Sequence, residues 1–273
     1  MATEKKQHKF VLITRFWRFV CKMPKWFIWC VLLGVVAIYC YLFYANFVKP
    51  YSFRWRALYG ETDYPEAEVT GMDISHYQKT IQWDKVRKWY YKNRNISFVF
   101  VKATEGESDV DSCFNKNFQQ AENQKFKRGA YHFFVRQLSG LNQARHFCKT
   151  VNLKKGDLPP VLDIEIDKEF MTFNNISHIK QEILNWLFYT ENYFRVKPII
   201  YASYNFRNIY LNDSIFNQYP YWIAHYYVDS LTYDGRWTFW QHTDAGHVDG
   251  IDGFVDLDIF NGNYNDLNNL CLK

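Results

Sequence analysis

The hydrophobic pattern of the chain begins with one long apolar run and continues with shorter runs separated by polar residues. Residues 26–48 contain no charged side chain, and roughly 20 apolar residues suffice for a helix to cross the hydrocarbon core of a bilayer. A secretory signal would have a shorter apolar core followed by small residues at a cleavage site. The end of this run and the residues that follow it, from Asn46 to Pro50, contain no such site. The run therefore predicts a single transmembrane helix.

The later runs predict a barrel. Eight short runs rich in β-branched and aromatic residues are expected to be strands, at 69–75, 98–104, 129–134, 160–166, 198–203, 221–226, 237–243 and 254–260. Apolar positions at helical spacing lie between the early runs, around Trp83, Phe118, Phe147 and Trp186. Strands that alternate with helices build a parallel sheet, and eight such strands suggest closure. About ten residues separate the sixth and seventh runs. We therefore predict a TIM-like (β/α) barrel with incomplete helices, in which helices follow the first four or five strands.

Charge separates the anchor from the rest of the chain. Residues 1–25 hold seven of the 33 basic and one of the 28 acidic residues, which leaves 26 basic and 27 acidic residues elsewhere. The basic balance of the chain thus belongs to the N-terminus and gives no indication of nucleic-acid binding. Because positive flanks stay in the cytoplasm, we expect the remainder to be exported.

These patterns divide the chain into four segments. We expect a basic cytoplasmic tail at 1–25, a transmembrane anchor at 26–48, a stalk at 49–66 and a catalytic barrel at 67–270. The protein would then be a single-pass membrane protein whose barrel lies on the periplasmic or extracellular side of the cytoplasmic membrane.

The cysteines and histidines point to no cofactor. Six cysteines are spread without a C-x-x-C pair, so only a bridge between Cys113 and Cys148 is left open. The histidines lack the spacing of a metal site. We expect neither a metal ion nor another cofactor.

Carboxylates at predicted strand ends are the strongest chemical signal. The reactive groups of parallel barrels lie at the C-terminal ends of strands, and Asp73, Asp163, Glu165 and Asp256 all meet that criterion. Strand alternation places Asp163 and Glu165 on one face, about 6.6 Å apart at Cα. Repulsion between two such carboxylates raises the pKa of one, and a protonated acid is what glycoside cleavage requires. Solvated acids at a strand end are the alternative for any one strand taken alone.

The sequence resembles the family 25 glycoside hydrolases, the Chalaropsis-type lysozymes. The resemblance covers about residues 67–262 and consists of blocks in the order of the family. These blocks are GMDIS at 71–75, VKATEG at 101–106, GAYHF at 129–133, LDIE at 162–165, YWIAHY at 221–226, WQ at 240–241 and VDLDIF at 255–260. Single blocks are weak signals, whereas the ordered set is specific.

The resemblance implies hydrolysis of the β-1,4 bond between N-acetylmuramic acid and N-acetylglucosamine in peptidoglycan. By motif, Glu165 would be the general acid and Asp163 would orient the acetamido group or stabilise positive charge. Asp73 and Asp256 would complete an acidic cluster around the bond. Retention or inversion depends on carboxylate separation, and we favour a substrate that supplies its own acetamido nucleophile.

Sugar sites also need flat aromatic faces and neutral hydrogen-bonding groups. Tyr131, Tyr201 and Trp222 are candidate platforms, and Gln241 is a candidate hydrogen-bonding partner. Core packing is the alternative role for these aromatic residues, because aromatic side chains make up 20% of the chain.

Two other functions fit parts of the sequence. Chitinase-like barrels carry the motif D-x-x-D-x-D-x-E, but Leu158 and Val161 occupy its first two acidic positions here. A membrane-tethered, non-catalytic glycan-binding module is the second alternative. The presence of all the matched acids favours the enzyme.

Overall fold

The apolar run near the N-terminus forms a continuous helix in the computed structural model. The structure describes residues 23–48, 65–91, 94–166, 175–226, 228, 230–231 and 236–273. Helix α1 spans Lys25–Phe43 and is followed by a π-helical turn at Tyr44–Val48, with no buried side chain in either. By length and composition, it is the one helix in this part of the chain that could cross a membrane. Membrane insertion itself stays a prediction, and most of the predicted tail and stalk lie outside the described residues.

Eight strands close into a barrel, as predicted. The described residues form these eight strands and one short addition, β3: β1 (Thr70–Ile74), β2 (Ile96–Glu105), β3 (Asp109–Val110), β4 (Lys127–Phe133), β5 (Val161–Ile164), β6 (Ile199–Ser203), β7 (Tyr221–Ala224), β8 (Phe239–Gly246) and β9 (Val255–Phe260). The barrel order is β1-β2-β4-β5-β6-β7-β8-β9, and β9 pairs with β1 to close the ring. The two-residue β3 only extends the end of β2 as an antiparallel addition.

The prediction of an all-parallel barrel is wrong at one strand. Strand β9 is antiparallel to both of its neighbours, β1 and β8. Parallel neighbours need a crossover of a dozen or more residues, but only residues 247–254 join β8 to β9. Because this connection is too short for a crossover, the chain returns directly and the barrel is mixed.

The helices follow the predicted distribution. They are α2 (Trp83–Lys88), α3 (Phe114–Asn123), α4 (Gly140–Thr150), α5 (Ile176–Phe194), α6 (Tyr204–Tyr210) and α7 (Tyr264–Leu270), with 3-10 turns at His76–Gln78 and Phe216–Gln218. Helix α5 buries Ile179, Ile183, Trp186 and Leu187, the stripe expected for a helix packed on a sheet. The described parts of the connections before and after β8 contain no helix.

Alternation along the strands creates two cores. Outward-facing residues such as Leu162 and Ile164 pack beneath the helices. The inward-facing core is aromatic, with Phe100 stacked on Trp222 at 4.6 Å between ring centroids and edge-on to Phe239 at 5.1 Å. A Cβ atom at Gly129 would lie 2.5 Å from the Phe100 ring, so only glycine leaves room for this packing. The barrel is therefore filled by an aromatic layer, as small barrels are.

A buried ion pair lies near the start of β4. Arg128 Nε donates to Asp157 Oδ1 at 2.8 Å and Nη2 donates to Oδ2 at 3.2 Å. The same guanidinium packs over the Phe118 ring at 3.9 Å. A forked arginine donor of this kind satisfies both carboxylate oxygens at once. The pair thus joins β4 to the connection that leads into β5.

The described cysteines are free thiols. Cys113 is half-buried, Cys148 is buried, and neither forms a disulfide, which settles the pairing that the sequence left open. Burial raises the pKa of the Cys148 thiol to about 12, so this side chain behaves as a small apolar group at neutral pH.

Candidate active site

All eight predicted site residues line one cleft at the mouth of the barrel. Asp73 comes from β1, whereas Asp163 and Glu165 come from the end of β5 and its first following residues. The other lining residues from the prediction are Tyr131, Tyr201, Trp222, Gln241 and Asp256. The structure therefore brings the predicted residues together at one mouth of the barrel, and their roles stay a prediction.

Asp256 reaches this mouth by a different route from the one that the sequence suggested. It is the second residue of the antiparallel strand β9, and it lies opposite Asp73 of β1 in the strand register. The start of an antiparallel strand lies at the same edge as the ends of its parallel neighbours. The prediction that Asp256 lies at the end of its strand is wrong, because it lies at the start of β9, but the reversed direction of β9 still brings it to this cleft.

Gln241 connects the acidic cluster to two tyrosines. Its Nε2 atom donates to Asp73 Oδ2 at 2.5 Å. Its Oε1 atom accepts from the Tyr201 hydroxyl at 2.6 Å and from the Tyr226 hydroxyl at 2.5 Å. Because an amide has one acceptor and one donor end, the two tyrosines fix which end faces Asp73. Asp73 is therefore held in one orientation.

Burial and mutual repulsion favour the neutral forms of the acids. Burial, followed by the charge of Asp256, raises the pKa of Asp73 well above its usual range. Burial, followed by the negative charges of Asp244 and Glu165, raises the pKa of Asp256 to about 7. A carboxyl group with such a pKa is partly protonated at neutral pH, which is the state needed to donate a proton or a hydrogen bond.

Asp163 has an oxygen available for a ligand. Burial and then the nearby charge of Glu165 raise its pKa, whereas Lys102 acts in the opposite direction. Its Oδ1 atom is buried and has no hydrogen-bond partner among the residues that the structure describes. Such an atom favours an N–H donor from a bound molecule, because leaving it unpaired is costly.

Sequence reasoning missed five polar residues of the cleft lining, among them Lys102 and Tyr226. Lys102 Nζ donates to Glu105 Oε2 at 2.7 Å and lies 4.6 Å from the centroid of the Phe133 ring. Both could have been found from the alternation of side chains along a strand, because residues two apart lie on the same face. Lys102 shares a face with inward-facing Phe100, and Tyr226 shares one with Trp222.

The predicted aromatic platforms are mostly covered. Only 8% of Tyr131, 5% of Tyr201 and 2% of Trp222 is exposed, so these rings form the floor and walls of the cleft. Tyr77 lies at the rim and is 76% exposed, with its ring centroid 4.3 Å from that of His76 and the two rings tilted by 32°. Whether the floor residues also contact a ligand stays a prediction.

His132 fits a structural role. His132 is buried between Thr104 Oγ1, at 2.7 Å, and Gln143 Oε1, at 3.2 Å. Burial lowers the pKa of His132 to about 3, so it is neutral in the folded protein. Within the described part of the chain, no group of His, Cys, Asp or Glu is arranged to hold a metal ion.

Comparison with known proteins agrees with the geometry. The model of the family "Glycosyl hydrolases family 25" matches residues 72–251. The protein YegX of Escherichia coli (strain K12) is 38% identical over 221 residues, 81% of this chain and 76% of the relative. Lysozyme M1 of Streptomyces globisporus is 32% identical over 207 residues, 71% of this chain and 68% of the relative.

A solved structure has the same barrel. The bacterial lysozyme from Streptomyces coelicolor superposes with a TM-score of 0.68 at 30% identity and covers 75% of this chain and 97% of its own. The residues matched by the family model include Asp73, Asp163 and Trp222. The chain therefore belongs to family 25 of the glycosyl hydrolases and is a glycoside hydrolase.

Proposed function

We propose that the protein is a muramidase, which hydrolyses the β-1,4 bond between N-acetylmuramic acid and N-acetylglucosamine in peptidoglycan. The observation that carries this proposal is the convergence of Asp73, Asp163, Glu165 and Asp256 from three strands on one cleft. Two of the relatives are named lysozymes, which supports peptidoglycan as the substrate. Glycoside hydrolysis commonly needs a protonated acid on one side of the bond and negative charge nearby.

Glu165 is the proposed general acid. It lines the acidic cleft and also a neighbouring cavity bounded by Ile166, Ser203 and Tyr204. A glycan chain that occupies both cavities would place a glycosidic oxygen beside this carboxyl group. The Tyr201 hydroxyl, whose hydrogen is donated to Gln241, lies 3.4 Å from Glu165 Oε1. In the proposed mechanism, the other carboxyl oxygen carries the proton that passes to the leaving group.

Asp163 is the proposed partner of the acetamido group. Its unpaired Oδ1 atom can accept the acetamido N–H and so turn the acetamido oxygen toward the anomeric carbon. Attack by that oxygen makes the substrate its own nucleophile, a recognised alternative to the two-carboxylate mechanism. The Lys102 cation opposes the repulsion from Glu165 and favours the charged form of Asp163. Asp73 and Asp256 complete the acidic surroundings of the oxocarbenium-like transition state.

The N-terminal helix is proposed to anchor the enzyme. Residues 26–48 would span the cytoplasmic membrane once, with the basic tail inside and residues 49–66 as a stalk. This topology is supported by seven basic residues before the helix and by its length and apolar surface. The catalytic barrel would then lie on the side of the membrane where peptidoglycan is found.

The test uses the full chain, purified in a non-ionic detergent and incubated with isolated peptidoglycan. We expect soluble fragments that end in reducing N-acetylmuramic acid. Glu165→Gln should reduce their release by about two to four orders of magnitude, the usual contribution of general acid catalysis. Glu68→Gln, the same change at an exposed residue, is the matched control and should keep full activity.

The outcomes separate the competing functions. Fragments that end in reducing N-acetylglucosamine would contradict the bond assignment. Retained binding to peptidoglycan without any release would favour the non-catalytic module. For the anchor, we expect the chain to resist carbonate extraction from membranes and its barrel to be digested by protease added outside spheroplasts.

A further inference from the structure

The base of the barrel, the end opposite the cleft, carries a group of basic side chains. The connections into three neighbouring parallel strands, β4, β5 and β6, lie at this end, because parallel strands begin at the same edge of a sheet. Six basic residues occupy these connections and the first position of β4: Lys125, Lys127, Lys154, Lys155, Arg195 and Lys197. Five of the six are exposed, and Lys127 is half-buried. We call this group the basic face.

Acidic residues compensate little of this charge. The acid within these connections, Asp157, is buried and already paired with Arg128. Glu122, in the last turn of α3, forms ion pairs with Arg128 and with Lys154. The described glutamates before β1 lie beyond β2 in the order of the sheet. The basic face therefore keeps a strong positive charge at its surface.

The helix dipole explains only part of the group. Lys125 and Arg195 follow the ends of α3 and α5, where a cation stabilises the helix. Both have a positive φ, 61° and 59°, at a position that glycine commonly fills. Lys127, Lys155 and Lys197 lie three or more residues beyond the preceding helices, and the effect of the dipole falls off within the last turn. These three cations therefore need another explanation.

The basic face also lies at the end where the chain joins the barrel. Strand β1 begins at Thr70 and runs parallel to β2, so residues 65–69 reach the barrel at its base. Residues 49–69 connect the apolar run to this strand, and even fully extended they span only about 75 Å. Such a tether holds the base close to the surface in which the apolar run is anchored, at a high effective concentration. The acids of the cleft lie at the opposite end.

We propose that the basic face binds the anionic headgroups of phospholipids in the membrane that holds the anchor. Lysine and arginine bind phosphate oxygens, and basic clusters beside a membrane span attract anionic lipids. Tyr193, in the last turn of α5 beside Arg195, is 56% exposed, and tyrosine is enriched at the level of the headgroups. A barrel bound through this face turns its acidic cleft away from the membrane. The inference goes beyond the proposed muramidase activity and rests on the proposed anchor.

The experiment compares the full chain in two kinds of vesicle, one of phosphatidylcholine alone and one of phosphatidylcholine and phosphatidylglycerol in equal parts. Lysines are acetylated at low dose with a neutral reagent and identified by mass spectrometry. We expect Lys155 and Lys197 to react at least about fivefold more slowly in the anionic vesicles, the factor of one cation near an anionic surface. Lys79 and Lys116, exposed toward the cleft end, should react equally in both. About 1 M NaCl should abolish the difference, because it shortens the Debye length to about 3 Å.

A triple variant tests whether the charge of the basic face causes this protection. Lys155→Gln, Arg195→Gln and Lys197→Gln together remove three exposed cations, and Lys154 then serves as the reporter. We expect Lys154 of this variant to react equally fast in both kinds of vesicle. The matched control combines Lys79→Gln, Lys116→Gln and Arg145→Gln, the same loss of charge at exposed positions outside the basic face. Its Lys154 should stay protected in the anionic vesicles.

Equal reaction of Lys155 and Lys197 in both kinds of vesicle would overturn the proposal. Protection that persists in the high salt, or that is unchanged in the triple variant, would overturn it as well. Sedimentation with the neutral vesicles tests the anchor separately. If the anchor fails, acetylation in the presence of added anionic vesicles still decides whether the basic face binds lipid. A chain that does not cleave peptidoglycan would refute the muramidase activity alone.

Discussion

Neutralising Asp256 should stabilise the folded protein, and increasingly so as pH rises. Its carboxyl group has a pKa of about 7 in the folded protein, raised from 3.8 by burial and then by the charges of Asp244 and Glu165. In the unfolded chain these surroundings are absent. The folded state therefore binds a proton more tightly than the unfolded state does, and ionisation favours unfolding. Asp256→Asn removes this charge at similar side-chain volume.

The magnitude follows from the pKa shift. One pKa unit corresponds to about 1.4 kcal/mol, so a shift of about three units destabilises the ionised fold by roughly 4 kcal/mol. Because the folded pKa is raised, this stability is fully present below about pH 4 and is lost as pH rises through 7. For a domain of this size, about 1 kcal/mol shifts Tm by roughly 2–4 °C. The Tm of the variant should thus exceed that of the wild type by roughly 8–16 °C at pH 8, and by little at pH 4.

The assay is thermal unfolding of the full chain in detergent at pH 4, 5, 6, 7 and 8, monitored by circular dichroism. Asp252→Asn is the matched control because Asp252 belongs to the same segment but is exposed, and its effect should not vary with pH. A Tm difference for Asp256→Asn that stays constant from pH 4 to pH 8, or a less stable variant at pH 8, would refute the linkage argument. The aspartate would then not be destabilised by its surroundings.

Two further substitutions test the cleft and the opposite end of the barrel. Tyr201→Phe removes one of the two hydroxyl donors to Gln241, so kcat should fall about tenfold through the loss of one hydrogen bond. Tyr193→Phe, the same change at an exposed position, is its control and should keep full activity. Arg128→Met leaves Asp157 buried without its partner, so the unfolding free energy should fall by about 3–5 kcal/mol. Arg145→Met, at an exposed arginine, is its control. If chemical denaturation shows the same loss of unfolding free energy for both variants, the role of the buried pair is contradicted.

The barrel was predictable because its strands and helices differ in period. Residues 160–166 and 176–194 show this difference clearly: the first has the two-residue alternation of a strand, and the second has the apolar stripe of a helix. The direction of β9 was not predictable from periodicity, because a strand has the same alternation whichever way it runs. Only the short connection after β8 carried that information.

The candidate site was predictable at the level of residues but not of contacts. Asp73, Asp163 and Glu165 were found because strand ends in a barrel share one mouth. The bonds from Gln241 to Asp73, Tyr201 and Tyr226 depend on the register between β1, β6 and β8. A chain pattern contains no information on the register of strands that lie far apart in the sequence.

The reversal of β9 also explains why two similar aspartates have different surroundings. In a parallel strand, the later residue of a D-x-D pair lies closer to the mouth of the barrel. Here β9 runs back into the barrel, so Asp256 lies opposite Asp73 at the cleft and Asp258 lies opposite Gly71 one layer deeper. That deeper layer is the aromatic floor, where Asp258 is fully buried and accepts the Trp222 N–H group. The antiparallel strand therefore places the Asp256 carboxyl group at the cleft and the Asp258 carboxyl group in a buried layer, where burial raises its pKa.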